Sequence, residues 1–399
     1  LEEKYDADLP DSIRNGQRIT TMTSGQARFP VAPSKFKFQK YDNNAEGLWV
    51  SELLPHTATI AKELCVIKSM WTEAINHDPA VTYIQTGSQL PGRPSLGAWM
   101  SYGLGSMNQD LPTYVVLHAK VSSGKADQAL FSRLWGTGFL PSEHQGVSLR
   151  STGDPVLYLK DPHGMDRKTR REMLDDLAQM NHLQLDEFGD PEIAARVAQY
   201  EMAYRMQTSV PELMDMSDES EETFELYGPG SKEPGTFAAS CLLARRLAQK
   251  GVRFIQIWHR GWDQHGNMAE HADHAKVIDQ PLAGLLQDLK ERGMLEETLV
   301  VWTTEFGRTP GVDGNKGRGH HSACFSSWLA GGGVKGGLAY GATDEIASTV
   351  AENKVHVHDF HATILHLLGI DHEKLTYRHG GRDYRLTDVF GNVVKDILA

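Results

Sequence analysis

The chain has 399 residues, and 40 lysines and arginines against 52 aspartates and glutamates give it a formal net charge of −12. Hydrophobic residues make up 40% of the chain and charged residues 23%, which is typical of globular proteins and excludes intrinsic disorder. A negative charge without basic runs argues against nucleic acid as a partner, and no apolar run is long enough for a transmembrane segment. Three cysteines without CxxC spacing exclude a disulfide framework. Histidine is unusually frequent, since 12 of the 18 histidines lie between His259 and His379.

The first half of the chain combines helical and strand patterns. Apolar spacing predicts a helix over residues 48–64, followed by a short strand over residues 65–70. A second helix is predicted over residues 94–103, and the largely β-branched residues 113–118 predict a strand. From about 155 to 230, apolar residues recur every three or four positions among acidic and polar ones. This spacing predicts a helical insertion in the domain.

The last third of the chain alternates between helices and strands. The predicted elements are a helix at 236–250, a strand at 252–258, a helix at 271–292, strands at 298–304 and 325–329, and a helix at 358–368. Strand–helix–strand units of this length favour a mostly parallel sheet with helices on both faces. We therefore expect one α/β domain that spans residues 1–399.

Polar side chains cluster where two of these strands end. Asp263 and His265 follow one strand, and Glu305 follows the next strand along the chain. Because the carboxyl ends of neighbouring parallel strands lie at one edge of a sheet, we expect these side chains to converge. A glycine-rich loop before the third strand adds His320. Carboxylates and histidines together match zinc, manganese or iron, although a strand-end carboxylate can also cap a helix.

Two arginines lie close to these residues in the sequence. Arg308 follows Glu305 by three positions, and Arg318 precedes His320 by two. Each guanidinium can bind an anionic group through two N–H groups, or it can form a surface salt bridge. Both interpretations stay open from the residues alone.

A second polar segment, Asn76-His77-Asp78-Pro79, opens a predicted helix. A helix N-terminus attracts anions because its first N–H groups lack partners within the helix, which makes His77 and Asp78 candidates for a site. In the other interpretation, Asp78 only caps the helix and Pro79 takes the first helical position. The local sequence by itself favours the cap.

The remaining histidines of the last third are assigned to surface or packing positions. His271 and His274 are predicted on the solvated face of the helix at 271–292. The spacing of His358, His361 and their neighbours does not predict a shared metal, although His358 has a position from which it can approach the site.

The order of these motifs resembles the alkaline phosphatase and sulfatase superfamily. It is most similar to a sulfatase-like family of unknown function that is abundant in planctomycetes and often exported with a twin-arginine signal. The resemblance is carried by residues 76–87, 261–265, 305–310, 317–320, 329–337 and 358–369. It implies a three-layer α/β/α fold of the alkaline phosphatase type.

The resemblance also implies roles for individual residues. Asp263 and His265 resemble the Asp/His pair of one metal site in the superfamily, and His320 resembles its third ligand. Glu305 stands where the superfamily has an aspartate ligand, whereas Phe306 stands where a histidine often follows. The resemblance therefore implies one metal position that is better defined than the second.

Two departures from the superfamily pattern affect the expected chemistry. His77 stands ahead of Thr86-Gly87 at the position of the nucleophile, which is a serine, threonine or cysteine in sulfatases and phosphatases. Three roles stay open for His77: metal ligand, acid/base catalyst or nucleophile. The family's first strand would precede Leu1, so we expect it to be missing from this chain. Export to the periplasm or cell surface is a further implication of the resemblance.

We therefore expect a metal-dependent hydrolase of phosphate or sulfate esters, acting on a small anionic ester or on a sulfated or phosphorylated glycan. The expected metal ligands are Asp263, His265, Glu305 and His320, and the expected catalytic residues are His77, Asp78 and Arg308. Zinc is the first choice for the divalent metal, with manganese or calcium as alternatives. The rival hypothesis is a non-catalytic, exported binding or scaffold protein that retains the fold.

Overall fold

The structure is a computed structural model that describes residues 6–10, 26–41, 47–121, 129–150, 155–156, 161, 163–312 and 317–399. The chain divides into two units. The first unit comprises Leu1–Pro91, Val121–Leu130 and Arg260–Ala399, and the second comprises Gly92–Lys120 and Phe131–His259. Each unit contains helices and strands, so the described chain is a mixed α/β protein.

Helices account for much of the described chain. They are α1 (Pro55–Thr59), α2 (His77–Thr86), α3 (Leu96–Leu104), α4 (Arg167–Phe188), α5 (Pro191–Met214), α6 (Glu221–Tyr227), α7 (Phe237–Gln249), α8 (His271–Glu291) and α9 (Val357–Leu367). Within the described residues, none of these helices combines the length and the apolar character needed to cross a membrane.

The strands are mostly short. They are β1 (Phe38–Tyr41), β2 (Leu48–Ser51), β3 (Leu64–Trp71), β4 (Tyr114–His118), β5 (Val147–Leu149), β6 (Phe254–Trp258), β7 (Val300–Trp302), β8 (Gly307–Arg308), β9 (His320–His321), β10 (Phe325–Ala330), β11 (Leu338–Tyr340), β12 (Ala342–Thr343), β13 (Val350–Glu352), β14 (Val355–His356), β15 (Tyr377–His379) and β16 (Arg382–Tyr384).

The main sheet of the first unit is built around β3. Its strand order is β11-β3-β10-β7, and β14 also pairs with β3. β10 runs antiparallel to both β3 and β7, whereas β11 and β14 run parallel to β3. Leu329 and Cys65 lie opposite each other at fully buried positions, so the core of this unit lies against the sheet.

The sheet of the second unit is parallel throughout, with the order β5-β4-β6. Val115 and Leu117 of β4 form a buried cluster with Val210 of α5 and Leu247 of α7. The four side chains are apolar, and two come from β4 and two from the helices. The helices therefore bury one face of the parallel sheet, as expected when both partners present an apolar surface.

The predicted elements of the last third are confirmed, and their ends differ from the predicted ends by at most two residues. They correspond to α7, β6, α8, β7, β10 and α9. The helices α4, α5 and α6 occupy most of the predicted helical range 155–230, of which residues 157–160 and 162 lie outside the described residues.

Two expectations about local structure and pairing differ from the structure. The prediction of one helix over residues 48–64 is wrong, because Leu48–Ser51 pairs with β1, and only Pro55–Thr59 is α-helical, followed by a 3₁₀ turn at Ala61–Glu63. The proline occupies the first helical turn, where its missing N–H is tolerated, so the helix begins there. Among the described strands, β6 pairs with β4, while β7 pairs antiparallel with β10. Strands that follow one another along the chain are therefore not necessarily hydrogen-bonded neighbours in a sheet.

Candidate metal centre

His77 begins helix α2, directly after β3 and a short turn. Asn76 is the N-cap residue, so the helix starts two residues before Pro79. The interpretation in which Asp78 caps this helix is therefore wrong, and Asp78 is an exposed residue of the first turn. The start of α2 places the ring of His77, and not the side chain of Asp78, beside Asp263.

A two-residue ladder joins the loops that carry Arg308 and His320. Strands β8 and β9 run antiparallel, and Arg308 lies opposite His320 in their register. The N–H of Thr309 donates to the carbonyl oxygen of Gly319 at 3.0 Å, and the N–H of Gly319 donates to Oγ1 of Thr309 at 3.1 Å. The glycine-rich loop is thereby tied to the segment that follows Glu305.

Two glycines allow the loop of Asp263 and His265 to pack closely against its neighbours. A Cβ atom at Gly317 would lie 1.6 Å from the carbonyl oxygen of His265, so this approach requires glycine. Gly261 has a φ of 99°, and a Cβ atom there would lie 2.8 Å from the ring of His274. Both glycines begin motifs that the sequence analysis placed at the site, residues 261–265 and 317–320, but the sequence did not show that they permit this close packing.

Asp263 lies at the centre of a group that we call the histidine–aspartate cluster (His77, Asp263, His265 and His320). Its Oδ2 is 3.2 Å from Nε2 of His77. Its Oδ1 is 2.9 Å from Nε2 of His265 and 3.4 Å from Nε2 of His320. The Nε2 atoms of His265 and His320 are 3.0 Å apart. Among the described residues, His77, Asp263 and His320 form the one group of three potential ligands that all lie within 4.8 Å of one another.

Two histidines of the cluster also form hydrogen bonds through Nδ1, the ring nitrogen on the side away from Asp263. Nδ1 of His320 is 2.8 Å from the carbonyl oxygen of Ile75, and Nδ1 of His77 is 2.6 Å from Oε1 of Glu305. A carbonyl oxygen only accepts, so Nδ1 of His320 carries the proton and Nε2 of the neutral ring keeps its lone pair. Ile75 was not among the predicted site residues, because a main-chain acceptor has no signature in the sequence.

The surroundings of His77 favour its charged form. Burial by itself would lower the pKa of His77, but hydrogen bonds to Asp263 and Glu305 raise it to about 9. Burial would raise the pKa of Asp263, yet His320, His77 and Arg308 hold it well below its ordinary value. The pKa of Glu305 is also lowered, because the bond from His77 outweighs burial. A protonated His77 ring thus takes the place of a cation between two carboxylates.

Glu305 lies on the Nδ1 side of His77, away from the Nε2 atom that faces Asp263. Its Oε2 accepts a hydrogen bond of 2.9 Å from the hydroxyl of Thr304. The ring of Phe306 packs 4.9 Å from the ring of His77 and 4.5 Å from that of His320, measured between centroids. Phe306 therefore contributes an apolar wall, and Glu305 supports His77.

The two arginines predicted near the site have different surroundings. Arg308 donates to Oδ1 of Asp263 at 2.6 Å and to the carbonyl oxygen of Trp262 at 3.3 Å. Arg318 donates to the carbonyl oxygens of Thr309 at 2.8 Å and Ala32 at 2.6 Å, and burial lowers its pKa. Arg308 therefore belongs to the cluster's charge balance, whereas Arg318 fastens chain segments together.

Some other histidines differ from their predicted surroundings. The solvated position predicted for His274 is wrong, because this side chain is fully buried with its ring 5.1 Å from that of Trp262. His271 also packs on Trp262 and is partly buried. His358 lies 5.4 Å from the ring of Phe390 and is not part of the histidine–aspartate cluster. The space left by Gly261 explains why a histidine of α8 fits inside.

Comparison with known proteins gives one clear match and several distant ones. No curated protein matches the sequence. Among solved structures, Ps i-CgsB in complex with k-i-k-neocarrahexaose is 12% identical, with a TM-score of 0.34 over 79% of this chain and 66% of that chain. The PsFucS1 sulfatase from Pseudoalteromonas sp. is 14% identical, with a TM-score of 0.35 over 80% of this chain and 63% of that chain.

In both cases the match extends over less than two thirds of the solved chain. The sequence profile of DUF1501, described as a protein of unknown function, matches residues 3–398. This match includes all residues of the histidine–aspartate cluster together with Glu305 and Arg308. The chain therefore belongs to the DUF1501 family of proteins of unknown function.

Proposed function

We propose that the histidine–aspartate cluster is the binding site of a divalent cation, with zinc as the first choice and manganese or calcium as alternatives. Zn–N distances of about 2.0–2.1 Å in a tetrahedral site imply ligand atoms about 3.3 Å apart. The distances from Asp263 to its three histidines are 2.9, 3.2 and 3.4 Å. The ligand atoms of His77, Asp263 and His320 all lie within 4.8 Å of one another, and this convergence is the observation that carries the proposal. His265 adjoins this group through its Nε2, which is 3.0 Å from Nε2 of His320.

The hydrogen-bond acceptors at the Nδ1 atoms of His77 and His320 support the same assignment. Metal-binding histidines commonly donate their other N–H group to a carboxylate or a main-chain carbonyl, which fixes the orientation of the ring. Glu305 supplies that acceptor for His77, and the carbonyl oxygen of Ile75 supplies it for His320. We therefore assign His77 as a ligand through Nε2 and Glu305 as the residue that orients it, rather than as a ligand itself.

The function that we propose for this site is hydrolysis of phosphate or sulfate esters. When bound, a divalent cation supplies Lewis-acid chemistry that polarises an oxygen of the ester. Arg308 holds Oδ1 of Asp263 in place and adds positive charge beside the cluster. Phe306 packs against the rings of His77 and His320 and forms an apolar wall on that side of the cluster. With a divalent cation bound, the positive charges of the cation and Arg308 would exceed the negative charges of Asp263 and Glu305, which favours an anionic substrate over a neutral one.

The substrate class, fold family and location of the protein belong to the same proposal. The motifs of the sequence resemble the alkaline phosphatase and sulfatase superfamily, whose fold is a three-layer α/β/α arrangement. We accordingly propose a small anionic ester or a sulfated or phosphorylated glycan as the substrate. We also propose that the protein is exported.

A second candidate is a protein that binds the cation and the anionic ligand without turnover. It is favoured by the environment of His77, which stands at the expected nucleophile position but has both ring nitrogens within 3.2 Å of carboxylate oxygens. A ring held in this way has no free lone pair for attack on an ester. Hydrolysis would then depend on water as the attacking group.

Metal content and turnover separate these possibilities. We expect purified protein to carry about one equivalent of divalent metal by elemental analysis, and Asp263→Ala to lose it, because the central ligand is removed. Asp273→Ala is the matched control, since Asp273 is an exposed aspartate of α8. Full occupancy in the Asp263→Ala variant would refute the site.

The metal-loaded protein should then be assayed with aryl phosphates, aryl phosphodiesters and aryl sulfates. Turnover that is lost in Asp263→Ala and kept in Asp273→Ala supports the hydrolase. Stoichiometric metal without turnover on any of the three classes favours the binding protein.

A further inference from the structure

The two carboxylate oxygens of Asp263 have unequal surroundings. Oδ1 is 2.6 Å from Nη2 of Arg308, 2.9 Å from Nε2 of His265 and 3.4 Å from Nε2 of His320. Among the described residues, Oδ2 meets a single side chain, that of His77, whose Nε2 lies 3.2 Å away. Oδ1 is therefore the crowded oxygen of this carboxylate, and Oδ2 is the open one.

The guanidinium group of Arg308 is fixed by main-chain acceptors. Arg308 lies in β8 opposite His320 of β9, and its side chain is 16% exposed. Its Nη2 donates to the carbonyl oxygen of Trp262, and its Nη1 donates to that of Arg318, both at 3.3 Å. These bonds hold the N–H group that donates to Oδ1 of Asp263. Arg308 is thus a positioning residue that acts through Asp263.

Nε2 of His265 is a second donor to Oδ1. It lies 2.9 Å from Oδ1 of Asp263 and 3.0 Å from Nε2 of His320. Because Nδ1 of His320 donates to a main-chain carbonyl, Nε2 of that ring presents a lone pair. Both short contacts of His265 are with acceptors, so its Nε2 carries a proton, whereas Nη1 of Arg308 lies farther away at 3.4 Å. A carboxylate oxygen has two lone pairs, and Arg308 and His265 occupy those of Oδ1.

We propose that Arg308, together with His265, makes Asp263 a ligand through Oδ2 alone and thereby selects zinc over calcium. The inference rests on the cation site proposed above and does not require turnover. With Oδ1 engaged, the remaining ligand atoms are Oδ2 of Asp263 and Nε2 of His77 and His320. These three residues are the group whose ligand atoms all lie within 4.8 Å of one another. Three protein ligands with an open fourth position are typical of a catalytic zinc site.

Calcium requires a different set of ligands. It takes about six to eight oxygen atoms and often both oxygens of one carboxylate. At this site, the second oxygen of Asp263 becomes available only if Oδ1 loses its donors. Imidazole nitrogens also suit zinc better than calcium. By holding Oδ1, Arg308 withholds an oxygen that calcium needs and that zinc does not.

The ratio of zinc affinity to calcium affinity tests the proposal. Arg308→Met removes the N–H donors but keeps a long unbranched side chain. We expect this ratio, measured by titration calorimetry on metal-free protein, to fall about 10- to 100-fold. Loss of a positive charge should strengthen the binding of both divalent cations alike, so the ratio reports how Asp263 is used. Arg308→Lys keeps a charged N–H donor and should retain the ratio.

Cobalt(II) provides a spectroscopic measurement of the same property. Four-coordinate cobalt(II) absorbs visible light much more strongly than six-coordinate cobalt(II), so its spectrum reports the coordination number. We expect an intense band for the unaltered chain and for Arg308→Lys. The band should be weaker for Arg308→Met, because the freed Oδ1 adds a ligand atom. Arg378→Met is the matched control, since Arg378 is a 67% exposed arginine of the same unit. Circular dichroism checks that each variant remains folded.

The outcomes separate the role of Arg308 from the existence of the cation site. If the unaltered chain binds neither zinc nor cobalt, the site is refuted, and this inference is refuted with it. If the unaltered chain binds zinc but Arg308→Met keeps both the affinity ratio and the cobalt spectrum, the site stands and the role of Arg308 is refuted. Loss of the ratio in a folded Arg308→Lys variant would also contradict the proposal, so the test holds even if Arg308→Met does not fold.

Discussion

Both ring nitrogens of His77 face carboxylates, Glu305 through Nδ1 and Asp263 through Nε2. This arrangement explains how a charged histidine is tolerated in a partly buried position: its pKa rises to about 9 because two hydrogen bonds outweigh the effect of burial. Cation binding requires the neutral ring, so it would displace this proton and become stronger as the pH rises. The proton on His77 thus balances the two carboxylates when no metal is bound, and a bound cation would take over that role.

The support that Glu305 gives to His77 can be measured by mutation. We expect Glu305→Ala to weaken zinc binding about 10- to 100-fold, as for other residues that orient a metal-binding histidine. Glu305→Gln should have a smaller effect, because its amide oxygen still accepts the hydrogen bond. Titration calorimetry on metal-free protein gives the affinities.

Glu297→Ala is the control for these variants, since Glu297 is an exposed glutamate of the same unit. If Glu305→Ala bound zinc as tightly as the unaltered chain, the orienting role would be excluded.

At the scale of elements, the cluster depends on three loops that are held together by main-chain contacts. α2 begins at His77, the β8–β9 ladder places Arg308 opposite His320, and Gly317 packs on the main chain of His265. Each loop contributes one or two side chains, so a shift of any loop would separate ligand atoms that now lie about 3 Å apart. The binding geometry is therefore as sensitive to loop packing as to the ligands themselves.

A pair of glycine substitutions tests this dependence. Gly317→Ala would place a Cβ atom 1.6 Å from the carbonyl oxygen of His265, so the loop must move. We expect zinc affinity to fall by at least about tenfold, which corresponds to about 1.4 kcal/mol. Gly266→Ala is the matched control, because a Cβ atom there meets no atom within 4 Å. Equal affinities for the two variants would show that the close packing of the loop is unnecessary for binding.

At the scale of the whole molecule, buried neutral histidines are expected to control stability in acid. Burial lowers the pKa of His358 to about 3 and that of His361 to about 4, and both side chains are almost fully buried. Below the ordinary pKa of 6.5 the unfolded chain takes up protons that the folded chain does not. The free energy of unfolding therefore falls as the pH decreases from about 6.5 toward 4.

The size of this effect can be tested with one substitution. At pH 5 each of the two histidines should cost about 2 kcal/mol of stability relative to neutral pH. His361→Gln keeps a donor for the carbonyl oxygen of Ile84, which His361 contacts through Nε2, but it does not titrate. We expect denaturant unfolding of this variant to depend less steeply on pH, and His366→Gln, at an exposed position of α9, to behave like the unaltered chain. An unchanged slope in His361→Gln would contradict this origin of acid sensitivity.

The residue types of the site could be predicted from the sequence because they follow strand ends and glycine-rich turns. Asp263, His265 and His320 were chosen on that basis, and the structure brings them together with His77. The elements of the last third could be predicted for a related reason: their apolar periodicity is long and regular. The range 48–64 could not, since pairing with β1 overrides local spacing there.

The tertiary structure alone decided how these residues are used. It placed Glu305 behind His77, supplied the carbonyl of Ile75 to His320, and buried His274 against Trp262. It also decided that β10 runs antiparallel between β3 and β7. The sequence determined which side chains can carry charge or bind metal, because that is a property of each residue. Their partners depend on distances between loops that are far apart in the chain, which only the packed chain defines.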